Sequence, residues 1–276
     1  MTMENDGENI YDSSYERLNS YQSQASFALD LRWSPDSQHL AYRHISSLRI
    51  IGVAGDVVSC RLPEELAVTS FRWIDNAQLL VVSKKPSSGL DLAGKPYWYQ
   101  GYIDNATSIE ISQVALSGSN TPVYSAVLDT PTFLFHSADF SLDEISPDGN
   151  RVAFSDGANL CIYDVMARKM LVKTELPQKP APKPDLSGAD MNDPTIRAVT
   201  EAMAVRPAQL EGVWWPMNDQ LILGMGLLGG PVKSFYTYDI VTKVILDKTD
   251  KLLPAWDGNE KAMNYQDSDW YRSALK

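Results

Sequence analysis

The chain has 276 residues, 44% of them hydrophobic and 10% aromatic, with a formal charge of −11 at pH 7. That length permits a core of good size, in one large all-β domain or two ordinary ones. The acidity argues against nucleic acid or an anionic membrane as partner, because both select basic surfaces, and no apolar run is long enough to span a bilayer.

Residues 1–28 form an acidic segment, with Glu4, Asp6, Glu8, Asp12 and Glu16 against Arg17 alone. No charged stretch followed by an apolar one marks a secretory leader, so a cytoplasmic location is expected, or a periplasmic one if a leader was removed. Ile10, Tyr11, Tyr15, Leu18 and Tyr21 fit a short docking helix or a strand that closes the fold.

A repeated unit occupies residues 29–250. Its first copy, about 29–65, has an apolar run to Trp33, the turn Ser34-Pro35-Asp36-Ser37, strands at Leu40–Tyr42 and Leu48–Val53, the turn Gly55-Asp56 and a last strand. Pro presets φ, Asp bonds the backbone ahead, and the next residue takes a positive φ. The second copy, about 66–130, holds Trp73-Ile74-Asp75-Asn76 at the turn and Leu79–Val82 as second strand. An insertion at 84–104 interrupts it, and its third strand runs through Gln100–Ile103 or Ile109–Leu116. Tyr97, Trp98 and Tyr99 in this insertion are either strand residues packed between repeats or a partner-binding patch, since Tyr and Trp dominate binding hot spots.

The third copy, about 140–176, is the clearest. Leu142–Ser146 ends at Pro147-Asp148-Gly149-Asn150, and strands follow at Arg151–Ser155, Asn159–Val165 and Met170–Leu176. Asp156-Gly157 is a strong hairpin turn. Residues 177–209 form a second insertion. Pro177, Pro180, Pro182 and Pro184 make it extended, and Asp193-Pro194 opens a short helix with Ile196, Val199 and Met203 on one stripe. It reads as a crossover over the edge of the fold, or as a segment that grips a partner through Asp185, Asp190 and Asp193. The fourth copy, about 210–248, turns at Trp215-Pro216-Met217-Asn218-Asp219. The aromatic tail, 251–276, is expected to dock on the last repeat or to supply closing strands.

The pattern Ser-Pro-Asp-[Gly/Ser]-x-x-[Leu/Val]-Ala-[Tyr/Phe], close at Ser34–Tyr42 and Ser146–Phe154 and degraded at Trp73–Val81 and Trp215–Leu223, resembles the WD40-like repeat of TolB-type β-propellers. The resemblance covers about half the chain. It implies an all-β propeller of about four four-stranded blades, or five if the terminal segments complete one, with a short helical insertion. It implies little about activity, since the repeat also occurs in prolyl-oligopeptidase-like peptidases and in many binding proteins.

The residues offer no catalytic signature. Gly224-Met225-Gly226-Leu227-Leu228-Gly229 follows a strand but leads into another, so it lacks the helix N-terminus a dinucleotide needs. There is no G-x-S-x-G. His39, His44 and His136 lack metal-site spacing, and Cys60 and Cys161 read as buried free thiols, so no metal or cofactor is expected. Glu64-Glu65 and Asp143-Glu144 point to opposite faces of a strand and form no local carboxylate pair. Asp36, Asp75 and Asp148 recur at one repeat position and are explained by the turn.

The expectation is therefore a non-enzymatic propeller that binds another protein, for which a basic surface would match the charge, as adaptor or as an inhibitor or immunity protein. Its partner surface would be Tyr97, Trp98, Tyr99, Asp185, Asp190 and Asp193. The alternative is an enzyme, or a binder of sugars or other small ligands, with its site in the central funnel.

Overall fold

In the computed structural model the described residues are 4–5, 10–11, 28–44, 47–55, 57–59, 66–86, 104–134, 144–177, 209–226 and 232–255. Strand β1 (Glu4–Asn5) pairs with β2 (Ile10–Tyr11). Four antiparallel sheets follow, each strand hydrogen-bonded to the next in chain order. The first blade is β3 (Ala28–Trp33), β4 (His39–His44), β5 (Ser47–Gly52) and β6 (Val57–Ser59). The second is β7 (Ala67–Trp73), β8 (Gln78–Pro86), β9 (Asp104–Ala115) and β10 (Asn120–Leu134). The third is β11 (Arg151–Ser155), β12 (Asn159–Asp164) and β13 (Lys169–Glu175), and the fourth is β14 (Gln209–Met217), β15 (Gln220–Gly226), β16 (Val232–Asp239) and β17 (Val244–Asp247). Helical structure among the described residues is limited to α1 (Thr249–Leu252) and a 3-10 turn at Leu253–Ala255. The chain is thus an all-β propeller. The helix expected after Asp193 lies outside the described residues.

Of the third blade's inner strand only Glu144–Ser146 are described, and they join β11 through the Ile145–Val152 bridge, with Ala153 N–H to Glu144 C=O at 2.8 Å and Ser146 N–H to Arg151 C=O at 2.9 Å. One strand differs from the sequence reading. In the second blade β8 continues past Val82 to Pro86, because β9 pairs with it along its whole length. The third strand there is β9, the Ile109–Leu116 alternative extended toward its N-terminus.

The Ser-Pro-Asp turns show why the repeat has its sequence. Ser34 Oγ donates to Asp36 Oδ1 at 2.6 Å, Gln38 N–H donates to the same oxygen at 3.1 Å, and His39 N–H donates to Ser34 Oγ at 2.9 Å. Ser146, Asp148, Asn150 and Arg151 repeat that network at 2.6, 3.0 and 2.9 Å. Ser37 and Gly149 take φ of 58° and 72°, the left-handed region that glycine enters without strain. The Asp carboxylates serve the turn, as their recurrence suggested.

The core lies between blades. Alternation sends Leu79 and Val81 of β8 toward the first blade, with Ala41, Leu48 and Ile50, and sends Leu80 and Val82 toward the third, with Val152, Phe154 and Cys161. A third cluster joins Ala153, Leu160 and Ile162 to Val213, Trp215 and Leu221 of the fourth blade. Each such side chain contributes about 1.5–3 kcal/mol on burial. Cys161 is buried and in no disulfide, as expected; Cys60 lies outside the described residues.

Polar pins complement this packing. Trp73 Nε1 donates to the Arg32 carbonyl at 2.9 Å, and Trp215 Nε1 donates to the Glu144 carbonyl at 3.2 Å. Trp73 and Trp215 share one repeat position, and Arg32 and Glu144 share the position before it. So the indole of one blade holds the inner strand of the blade before. The third blade has Ile145 where the others have Trp. There Arg72 Nη2 of the second blade donates to the Ile145 carbonyl at 3.4 Å.

Candidate functional site at the inner strands

The first strand of a blade is where the blades approach each other most closely, and here these strands are irregular. The register shifts between Leu29 and Arg32 in β3, between Val68 and Ser70 in β7 and between Leu210 and Gly212 in β14. A bulge turns a side chain away from the pleat. In β7 the bulged residue is Thr69, buried between the second and third blades.

Thr69 Oγ1 donates to Glu144 Oε2 at 2.5 Å. Lys84 Nζ, from β8, lies 2.6 Å from Glu144 Oε1, and these two side chains are 4% and 1% exposed. Glu144 N–H donates to Ser70 Oγ at 3.2 Å, and the Glu144 carbonyl receives Trp215. One residue of the third blade thus binds groups from the second and the fourth. Arg43 of β4 is also buried and reaches the Val68 carbonyl at 3.5 Å. Ser83, beside Lys84 on β8, is fully buried, and its hydroxyl has no hydrogen-bond partner among the described residues.

The physical balance is tight. Burying a carboxylate and an ammonium costs several kcal/mol per ion, recovered only with close geometry and further hydrogen bonds. Glu144 has both: one oxygen on an ammonium, the other on a hydroxyl. In chemical terms the cluster is a charge-neutral buried pair with one hydroxyl on its carboxylate and another on the Glu144 N–H. It can hold a polar ligand by exchange of hydrogen bonds. It is not an arrangement of two free carboxylates or of a nucleophile and base.

A second constellation lies away from the inner strands. Burial raises the Asp156 carboxyl, but Lys173 Nζ at 2.7 Å, the Asn159 side chain at 3.0 Å and Asn159 N–H at 2.9 Å outweigh it and hold the group below its ordinary range. Asp156 opens the hairpin turn, and Asn159 N–H closes it.

Sequence reasoning did not find Thr69, Ser70, Lys84 or Glu144 as a group. It judged Glu144 beside Asp143 and saw no local pair. Glu144 pairs with a residue sixty positions earlier. The available signal was Lys84 two residues after the apolar run Leu79–Val82, on the face that Leu80 and Val82 bury. Tyr97, Trp98, Tyr99, Asp185, Asp190 and Asp193 lie outside the described residues. Among the described residues no helix is long and apolar enough to cross a membrane.

The chain matches no protein-family model and no curated protein. Solved structures similar to it include a puromycin-hydrolyzing peptidase of Mycobacterium tuberculosis, at 16% identity and a TM-score of 0.46, covering 81% of this chain and 29% of that one. Another is dipeptidyl peptidase 4 of Porphyromonas gingivalis, at 11% identity and a TM-score of 0.39, covering 84% of this chain and 34% of that one. The chain therefore spans about a third of either protein. Both neighbours are peptidases, and the non-enzymatic protein-binding role expected from the sequence is corrected to that extent: neither neighbour carries it. Among the described residues the buried ion pair lies at the inner strands, around Glu144.

Proposed function

We propose that the chain is a ligand-binding β-propeller, alone or as part of an enzyme, whose site is the inner-strand cluster around Glu144. The ligand is small and polar, a sugar or a comparable hydroxyl- or amide-bearing molecule. The observation that supports this is a buried Glu144 carboxylate, from the third blade, held by the bulged Thr69 and by Lys84 of the second, while its backbone meets Ser70 of the second blade and Trp215 of the fourth. A ligand hydroxyl or amide can replace Thr69 on Glu144 Oε2 at little cost, because both are neutral donors. The TolB-type assignment of the repeats belongs to this reading, supported by the two matching Ser-Pro-Asp networks.

The test is calorimetric titration of the chain with a panel of small sugars, amides and short peptides, repeated on Glu144→Gln with its fold checked by circular dichroism. Saturable binding by the wild type that falls at least tenfold in the folded variant is the expected result. Equal binding by both, or none by the wild type, would overturn the reading.

A further inference from the structure

In an antiparallel meander the first-to-second and third-to-fourth turns of each blade emerge on the same face. Neighbouring blades share that face: Asp148 N–H, on the first turn of the third blade, donates to Asn218 Oδ1 on that of the fourth at 3.1 Å. No turn on it exceeds five residues. The strand ends that flank the two insertions, at Pro86, Asp104, Glu175 and Gln209, lie on the opposite face. A face of short turns is a platform rather than a groove.

Nine large hydrophobic side chains are exposed among the described residues, and six of them lie on this face: Trp33, Val53, Ile74, Met166, Met217 and Val241. The first two blades supply three and the last two supply the others. Scattered apolar residues on a surface need no explanation; their collection on one face does.

The charges of the face are divided between its halves. The turns of the first two blades, 34–38, 53–56, 74–77 and 116–119, contain no Lys or Arg. Asp36 and Asp75 are exposed there. The Ser34 hydroxyl and Gln38 N–H hold the Asp36 carboxyl below its ordinary range. On the last two blades Asp148, Asp164, Asp219 and Asp239 are matched by Arg151, Arg168, Lys169 and Lys243. Asp164 and Asp239 accept from Ala167 N–H and Thr242 N–H of their own turns, and Arg151 is engaged by the Asn218 carbonyl. Arg168, Lys169 and Lys243 are exposed, beside exposed Asp148 and Asp219. One half is purely acidic, and the other holds every cation of the turns.

We propose that this face is the interface of a homodimer, with two copies meeting turn face to turn face. This goes beyond the funnel reading and does not depend on it. A two-fold axis running between the second and third blades sets the first blade over the fourth of the other copy, and the second over the third. Asp36 and Asp75 then face the half that holds Arg168, Lys169 and Lys243. Trp33, Val53 and Ile74 face Met166, Met217 and Val241, and Trp and Met are residues that interface cores favour. A partner of a single charge sign would be matched by one half and opposed by the other, whereas a second copy matches both.

The experiment is sedimentation of the full chain over a range of concentrations, with the fold of each variant checked by circular dichroism. A monomer–dimer equilibrium is expected for the wild type. Trp33→Ser with Met217→Ser is expected to weaken the dimer by about tenfold or more. Arg168→Glu with Lys243→Glu, which sets acid against acid, is expected to do the same, and adding Asp36→Asn and Asp75→Asn to that variant should recover part of the loss. Lys248→Glu with Lys251→Glu makes the same change in net charge away from the face and should leave the dimer unchanged. So should Lys84→Met with Glu144→Leu, which removes the funnel cluster and so separates this proposal from that one. A monomer at every concentration would overturn the proposal, as would a dimer that the turn variants leave intact. So would a dimer that is lost in Val127→Ser, which would place the contact on an outer strand.

Discussion

Glu144 and Asp148 stand four residues apart in the same blade and put the same functional group to different use. Glu144 is buried, paired with Lys84 and hydrogen-bonded to Thr69. Asp148 is exposed at a turn, its carboxylate accepting from Ser146 and from Asn150 N–H. Burial decides the difference. Inside, removal of one partner leaves an uncompensated ion; at the turn, water replaces what is lost. The inner strands are therefore the place where polar substitutions act strongly, and the turn face is the place where charge is available to a partner.

The sharpest way to break that contrast is Lys84→Met. It strands Glu144 without its counter-ion and is expected to cost about 3–5 kcal/mol in urea unfolding. Adding Glu144→Leu should recover most of that loss, since two apolar side chains of similar volume need no partner. A double variant as unstable as the single one would mean that the site's packing, not its charge, carries the energy.

The next effect is steric. A Cβ on Gly212 would lie 2.0 Å from the Trp214 ring, so Gly212→Ala is expected to cost about 1–3 kcal/mol by the same measurement. The Trp position then gives an internal comparison. Trp73→Phe and Trp215→Phe lose an inter-blade hydrogen bond and packing, and each should cost about 1–3 kcal/mol. Trp33→Phe, on an exposed side chain, should stay within about 0.5 kcal/mol.

The smallest effect is in the pH dependence. Asp156 has a folded pKa below its unfolded value, so its contribution is present above the unfolded pKa and is lost as pH falls through the folded one. Thermal unfolding followed from pH 7 to pH 2 should show Asp156→Asn losing part of the wild type's acid sensitivity. An unchanged acid limb would contradict the role given to Lys173 and Asn159.

Much of the fold was legible because its signals are local. Ser34-Pro35-Asp36-Ser37 and Pro147-Asp148-Gly149-Asn150 encode their turns in consecutive residues, and alternation along Leu79–Val82 encodes two buried faces. The extension of β8 to Pro86 was not legible, because pairing with β9 overrides the weak strand preference of Lys84-Lys85-Pro86. The site was hidden for a related reason. Thr69, Lys84 and Glu144 come from three separate strands, and only the stacking of blades brings them within 2.6 Å. A strand pattern specifies which face a side chain takes, not which residue of another blade it meets there.

The central claim is that the cluster around Glu144 is a ligand site and not only a staple between blades. Saturation-transfer NMR with a mixture of small sugars and amides, on the wild type and on the Lys84→Met, Glu144→Leu double variant, tests it most directly. That variant is expected to keep the fold while losing the polar groups. Transfer to a ligand in the wild type that vanishes in the folded double variant is the predicted result. Equal transfer in both, or none in the wild type, would contradict it and leave the cluster a structural staple.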